Sequence, residues 1–133
     1  MKFKNMIMML LCLILVSDSS KAFRLTVRTT AYNASSSQTD STPFITATGT
    51  RARVGVVALS RDLLAFIPYG SRVQIVNLRG SGCGGWNTGI LRVEDTMHAR
   101  KRNQADVLLG SYRSAINWGV CTGTLEVISR PYK

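Results

Sequence analysis

The sequence predicts a small, mainly β domain: a closed barrel or compact sandwich of six or more short strands with one or two small helices. Three observations lead there. Apolar and polar residues alternate with period two in several short segments, turn-forming residues separate those segments, and only one stretch has convincing helical periodicity. At 133 residues the chain suits one domain with one core. Closing the sheet would also hide its strand edges.

The first element stands apart from that domain. Lys2 and Lys4 precede an unbroken apolar run from Met6 to Val16, and a short polar stretch reaches Ala22. This is the layout of a secretory leader, with Ser20 and Ala22 at the small-residue positions before the cut. Eleven apolar residues are too few to span a bilayer, which takes about 20 in a helix. The expected organisation is a signal peptide at 1–22 and a barrel domain at 23–133. The mature domain is then secreted, periplasmic or wall-associated, with no membrane span, and is expected to be a monomer.

Within the domain, Phe23, Leu25 and Val27 alternate with Arg24, Thr26 and Arg28, as in a strand with one buried face. Residues 33–43 form a polar loop. Val54 to Leu59 is a compact apolar run expected to be an interior strand, followed by a helical turn from Arg61 to Phe66 that Pro68 stops. Arg72 to Leu78 alternates again. The Gly-rich stretch from Gly80 to Gly89 reads as a flexible hairpin tip, and further strands are expected at 90–93, 107–109 and 125–128. Ser111 caps the one clear helix, whose apolar face is Tyr112, Ala115 and Ile116, and Gly119 follows its last turn.

Charge and cysteine content narrow the function. The formal charge is +10, and loss of Lys2, Lys4, Lys21 and Asp18 with the leader leaves +8. Such a bias calls for a polyanionic neighbour. Export points away from nucleic acid and towards anionic wall polymers, acidic stem peptides or lipopolysaccharide. Cys83 and Cys121, the two cysteines of the mature domain, are the candidate pair for a disulfide in an oxidising compartment. Two cysteines and one histidine without close spacing make a poor metal site, so no metal or cofactor is expected.

Six carboxylates remain after the leader: Asp40, Asp62, Glu94, Asp95, Asp106 and Glu126. Glu126 reads as a solvated charge on the outer face of a strand, and Asp40 lies in the polar loop. Asp95 falls where a strand runs out, Asp106 just precedes Val107-Leu108-Leu109, and a basic loop with His98, Arg100, Lys101 and Arg102 lies between. Paired carboxylates in a partly dry setting raise one another's pKa, which suits a general acid. The same residues at strand ends can equally serve to cap turns. No nucleophile elbow, Cys–His arrangement or phosphate-binding loop is present. Trp86, Trp118, Tyr69 and Tyr32 are candidates for stacking on sugar faces, Trp118 equally for the core.

At these residues the chain resembles a known family. Thr30-Ala31-Tyr32, Thr46-Ala47-Thr48-Gly49, Gly55-Val56-Val57-Ala58 and Ile67-Pro68-Tyr69-Gly70-Ser71-Arg72-Val73 occur in the order seen in the three-aspartate, or 3D, domain. Asp95-Thr96 is similar to the start of that family's Asp-Thr-Gly-Gly segment. Asp106 follows eleven positions later, and Tyr112, Ala115, Trp118 and Gly119 match its closing helix. The resemblance runs over nearly all of residues 29–129. It implies a six-stranded double-psi β-barrel, a fold shared with rare lipoprotein A, barwin and the expansin N-terminal domain.

It also implies activity on peptidoglycan like that of membrane-bound lytic transglycosylase A. Asp106 would be the general acid/base that cleaves the bond between N-acetylmuramic acid and N-acetylglucosamine, leaving a 1,6-anhydro product, and Asp95 would support it. Thr96 and the backbone around Gly49 would line the groove, and Tyr32, Lys101 and Trp86 are the further candidates for binding substrate. Ser60 stands where the family has its first aspartate, with Asp62 as the candidate third carboxylate, and Met97 and His98 replace two glycines. The rival reading is a non-catalytic glycan-binding module of the expansin or barwin type.

Overall fold

A computed structural model describes residues 23–34, 45–85 and 87–131. Strand β1 spans Phe23–Tyr32, β2 Val56–Leu59, β3 Arg72–Arg79, β4 Leu91–Thr96, β5 Gln104–Leu108 and β6 Cys121–Ser129. They close into a barrel in the order β1-β5-β2-β4-β3-β6. The pairs β1–β5 and β2–β4 are parallel, and every other pair is antiparallel. Two parallel pairs set among antiparallel neighbours in a closed six-stranded sheet make the double-psi barrel that the sequence led us to expect. The leader, Trp86, Asp40 and most of the polar loop lie outside the described residues.

Alternation decides what fills the barrel. Val27, Val57, Leu59, Val73, Ile75, Val93, Ala105, Val107, Leu125 and Val127 point inward and form one core. β-Branched residues dominate because they fit a pleated, half-buried surface. Two of the strands run further than their apolar stretches show. β4 continues through Asp95 and Thr96, and β5 begins at Gln104, so Asp106 lies mid-strand rather than at a strand end, while Asp95 is the last residue but one of β4. Outward-facing polar residues leave the ladder intact while hiding it from a reading of hydrophobic runs. Val54 is the converse: it lies outside β2 and is exposed.

Helix α1 covers Arg61–Leu64, and helix α2 covers Tyr112–Trp118 with Ser111 Oγ accepting the Ser114 N–H at 3.1 Å. The buried face of α2 is Ala115 and Trp118, whereas Tyr112 and Ile116 are exposed. The helix therefore docks one step round from the stripe expected, because the Trp118 indole reaches into the core and donates to Thr29 Oγ1 at 3.3 Å. Trp118 is a core residue, not a surface platform.

The glycine-rich stretch is also tighter than its composition implied. Cys83 and Cys121 are joined by a disulfide, and both are buried. A Cβ on Gly82 would fall 1.6 Å from the Asn117 carbonyl oxygen, so the loop packs flush against the end of α2. From there the chain runs back along β3, with Thr88 N–H donating to the Ile75 carbonyl at 3.0 Å. Glu126, expected in solvent, is buried between Arg24 at 2.6 Å and the Gln74 amide at 2.8 Å. These partners stand in for the water that the carboxylate gives up.

Candidate functional site

Residues paired across adjacent strands share a face. On the outside of the barrel, Thr30 of β1 stands opposite Asp106 of β5, Asp106 opposite Ala58 of β2, and Ala58 opposite Asp95 of β4. The two aspartates thus flank one small residue on a single surface. Asp95 is there because of a bulge. Val57 pairs with Val93 but Ala58 with Asp95, leaving Glu94 as the extra residue. In an unbroken strand Asp95 would face inward like Val93; the inserted residue turns it outward.

Each carboxylate has its own shell. Thr30 Oγ1 donates to Asp106 Oδ1 at 3.0 Å and accepts from Gln104 Nε2 at 3.1 Å, so the amide fixes the direction in which the hydroxyl points. Asp95 Oδ1 accepts the N–H groups of Ala47 and Thr96, each at 3.0 Å, and its Oδ2 accepts the Tyr32 hydroxyl at 3.2 Å. Burial pushes the Asp106 carboxyl up to about 6; the Asp95 charge adds to this, while the Thr30 hydrogen bond and Lys101 oppose it. Burial, followed by the charges of Asp95 and Asp106, drives the Tyr32 phenol well above its usual range and keeps it a donor.

The segment from Thr46 to Thr50 forms one wall. Its three threonine hydroxyls hydrogen-bond to one another at 2.6 to 3.3 Å, and Thr48 N–H ties it to the Glu94 carbonyl at 3.2 Å. Gly49 sits in the tight turn at φ +84°, which a side chain adopts only with strain. Thr96 turns its hydroxyl to the Leu59 carbonyl at 3.2 Å. Lys101 acts on Asp106 through its charge.

Asp62 does not join the pair. Its Oδ2 accepts the Asn103 N–H at 2.9 Å, anchoring the basic loop to α1. Burial alone would raise its pKa, but hydrogen bonds from Ser60, Asn103 and nearby N–H groups outweigh that and hold it below the usual carboxylate range. Ser60 is buried and accepts the Gln104 N–H at 3.0 Å, a part that a hydroxyl plays without bringing in a charge. The arrangement is therefore a carboxylate pair.

Thr30 and Gln104 are the site residues that the sequence reading passed over as candidates. Both were signalled by position: Gln104 lies two residues before Asp106 on the same strand face, and Thr30 opens the Thr30-Ala31-Tyr32 motif. A cavity of about 610 Å³ lined by Val54, Gly55, Ile90, Leu108, Leu109 and Trp118 contains neither aspartate. Chemistry and shape thus pick out different places, and we assign the site by its chemistry. Among the described residues no group of three His, Cys, Asp or Glu could hold a metal, and no helix is long and apolar enough to cross a membrane.

Among solved structures, the chain is similar to the apo expansin of Clavibacter michiganensis at 15% identity and a TM-score of 0.51, over 84% of this chain and 53% of that one. That likeness shows the fold. A mutant of the same expansin in complex with cellohexaose gives 14% identity and a TM-score of 0.48 over the same shares. The chain spans about half the length of these expansins. No family model and no curated protein matches the sequence. The double-psi barrel implied by the three-aspartate resemblance is thus observed, while the finer family assignment has no matching model behind it.

Proposed function

We propose that this domain binds a cell-wall glycan across the outer face of β1, β5, β2 and β4, with Asp106 and Asp95 at the centre of the contact. The observation that carries the reading is a pair of carboxylates, drawn from two strands, flanking Ala58 on one face, with Asp106 partly dehydrated. Donors and acceptors of this kind suit sugar hydroxyls. The shared barrel with an expansin and the serine at position 60 support a non-catalytic wall-binding module, working outside the cytoplasm as a monomer without a cofactor.

The state of Asp106 favours a second reading, a lytic transglycosylase. A carboxyl with a pKa of about 6 keeps a proton in mildly acid conditions. It would pass that proton to the glycosidic oxygen between N-acetylmuramic acid and N-acetylglucosamine as the bond breaks. The carboxylate left behind would take the proton of the C6 hydroxyl, whose oxygen closes on the anomeric carbon to give the 1,6-anhydro sugar. Asp106 ends protonated again and no water is consumed, so one carboxylate suffices where hydrolysis uses two. Asp95 would stabilise positive charge at the anomeric centre.

Mass analysis of digested sacculi separates the two readings. Binding without soluble products marks a binding module. Anhydro-muropeptides that vanish in Asp106→Asn, and whose release falls as pH rises through about 6, mark the transglycosylase. Reducing-end products indicate hydrolysis instead, and a chain that neither binds nor cuts sacculi removes both readings.

A further inference from the structure

We propose that Arg53, Arg72 and Arg92 form an anion subsite beside the aspartate pair, which recognises the carboxylates of the peptides carried on a peptidoglycan strand. The inference rests on the glycan-binding reading and gives it a substrate class: an acidic glycan in preference to a neutral one.

Arg72 of β3 and Arg92 of β4 are directly paired across the ladder. Both are exposed, and both neighbour inward-facing core residues, so their side chains leave the barrel on one face. Like charges placed opposite each other repel and cost stability. One carboxylate lies beside Arg92. Glu94, whose side chain is only 7% exposed, meets Arg53 Nη1 at 2.7 Å and Arg92 Nε at 3.6 Å. Arg53 Nη1 is further fixed by the Arg51 carbonyl at 2.9 Å. Arg72 makes no ion pair among the described residues.

Two guanidinium groups therefore meet one buried carboxylate, and Arg72, on the neighbouring strand opposite Arg92, has no carboxylate of its own among the described residues. Glu94 holds the first two in place without cancelling the excess charge, which is how a binding site is organised before its ligand arrives. The planar fork of arginine matches a carboxylate with two parallel hydrogen bonds.

Position ties this cluster to the glycan surface. Glu94 is the bulge residue that aims Asp95, and the segment from Thr46 to Thr50 bonds to both, through the Glu94 carbonyl and Asp95 Oδ1. A sugar chain lying over the aspartates would present its substituents to the arginines. An N-acetylated sugar backbone is itself uncharged; the peptides on its muramic acid residues supply the carboxylates.

The test compares the full chain with Arg72→Gln and Arg72→Glu on two probes. Purified sacculi stripped of phosphate polymers carry the peptide carboxylates, and chitohexaose carries none. Arg72→Gln is expected to weaken sacculus binding roughly five- to tenfold at low salt, and Arg72→Glu more, with a flatter salt dependence. Chitohexaose binding should be unchanged in both variants. Equal sacculus binding by all three chains overturns the subsite and leaves the groove reading intact. Binding that disappears once phosphate polymers are stripped also overturns it, since the anion is then phosphate. A native chain that binds neither probe overturns both proposals.

Discussion

At the scale of the residue, Asp106 gives this surface its chemical character. Its carboxyl, raised to about 6 mainly by burial, has a cost that can be measured in folding. An unfolded aspartate titrates near 3.9, so below about pH 3 the group is protonated in both states and costs nothing. As pH rises, the unfolded chain releases its proton first and the native state is progressively disfavoured, until both forms are ionised above about pH 6. Asp106→Asn keeps the shape and an acceptor for Thr30 while removing the charge. Urea titrations should show it matching the native chain at about pH 3 and exceeding it by about 2–3 kcal/mol at about pH 8. A variant no more stable than the native chain at pH 8 would mean that the carboxyl is solvated. The prominence of Asp95 and Asp106 was legible from spacing and resemblance, because a small family of carboxylates leaves few choices. Their shells were not, since Thr30 and Ala47 lie 76 and 48 residues from the carboxylates they contact.

At the scale of the element, the sequence was read well where alternation faces a core on one side only. β1 and β3 emerged that way, as did the capped start of α2. The reading fell short where polar residues continue a strand, as in β4 and β5, and where a bulge changes the phase of alternation, because period-two patterns assume an unbroken ladder. The Gly-rich excursion shows the same limit. Composition alone reads as freedom, whereas Gly82 is set by contact with the end of α2. Gly82→Ala is expected to cost about 2–3 kcal/mol, because its methyl group meets a backbone carbonyl that cannot simply swing aside. Ser81→Ala next to it, at an exposed position, should stay close to native stability. Thermal melts of the two variants compare them directly, and equal melting temperatures would argue against close packing here.

At the scale of the whole molecule, closure and a single cross-link act together. The Cys83–Cys121 bond joins the excursion after β3 to the first residue of β6. In the chain-entropy view, a bridge spanning 38 positions stabilises the fold by roughly 4 kcal/mol. Replacing both cysteines with alanine should lower stability by about that amount and steepen the denaturant dependence, because the unfolded chain loses its restraint. No change under reducing conditions would place the stability elsewhere. The strand order bears on how such a chain comes into being. β6 is wedged between β1 and β3, and the other edge of β1 belongs to β5. The first strand therefore waits, without a hydrogen-bonded neighbour in the barrel, until β5 has been made. A barrel whose first and last strands must meet cannot set early, so a nascent chain stays threadable until β5 and β6 emerge.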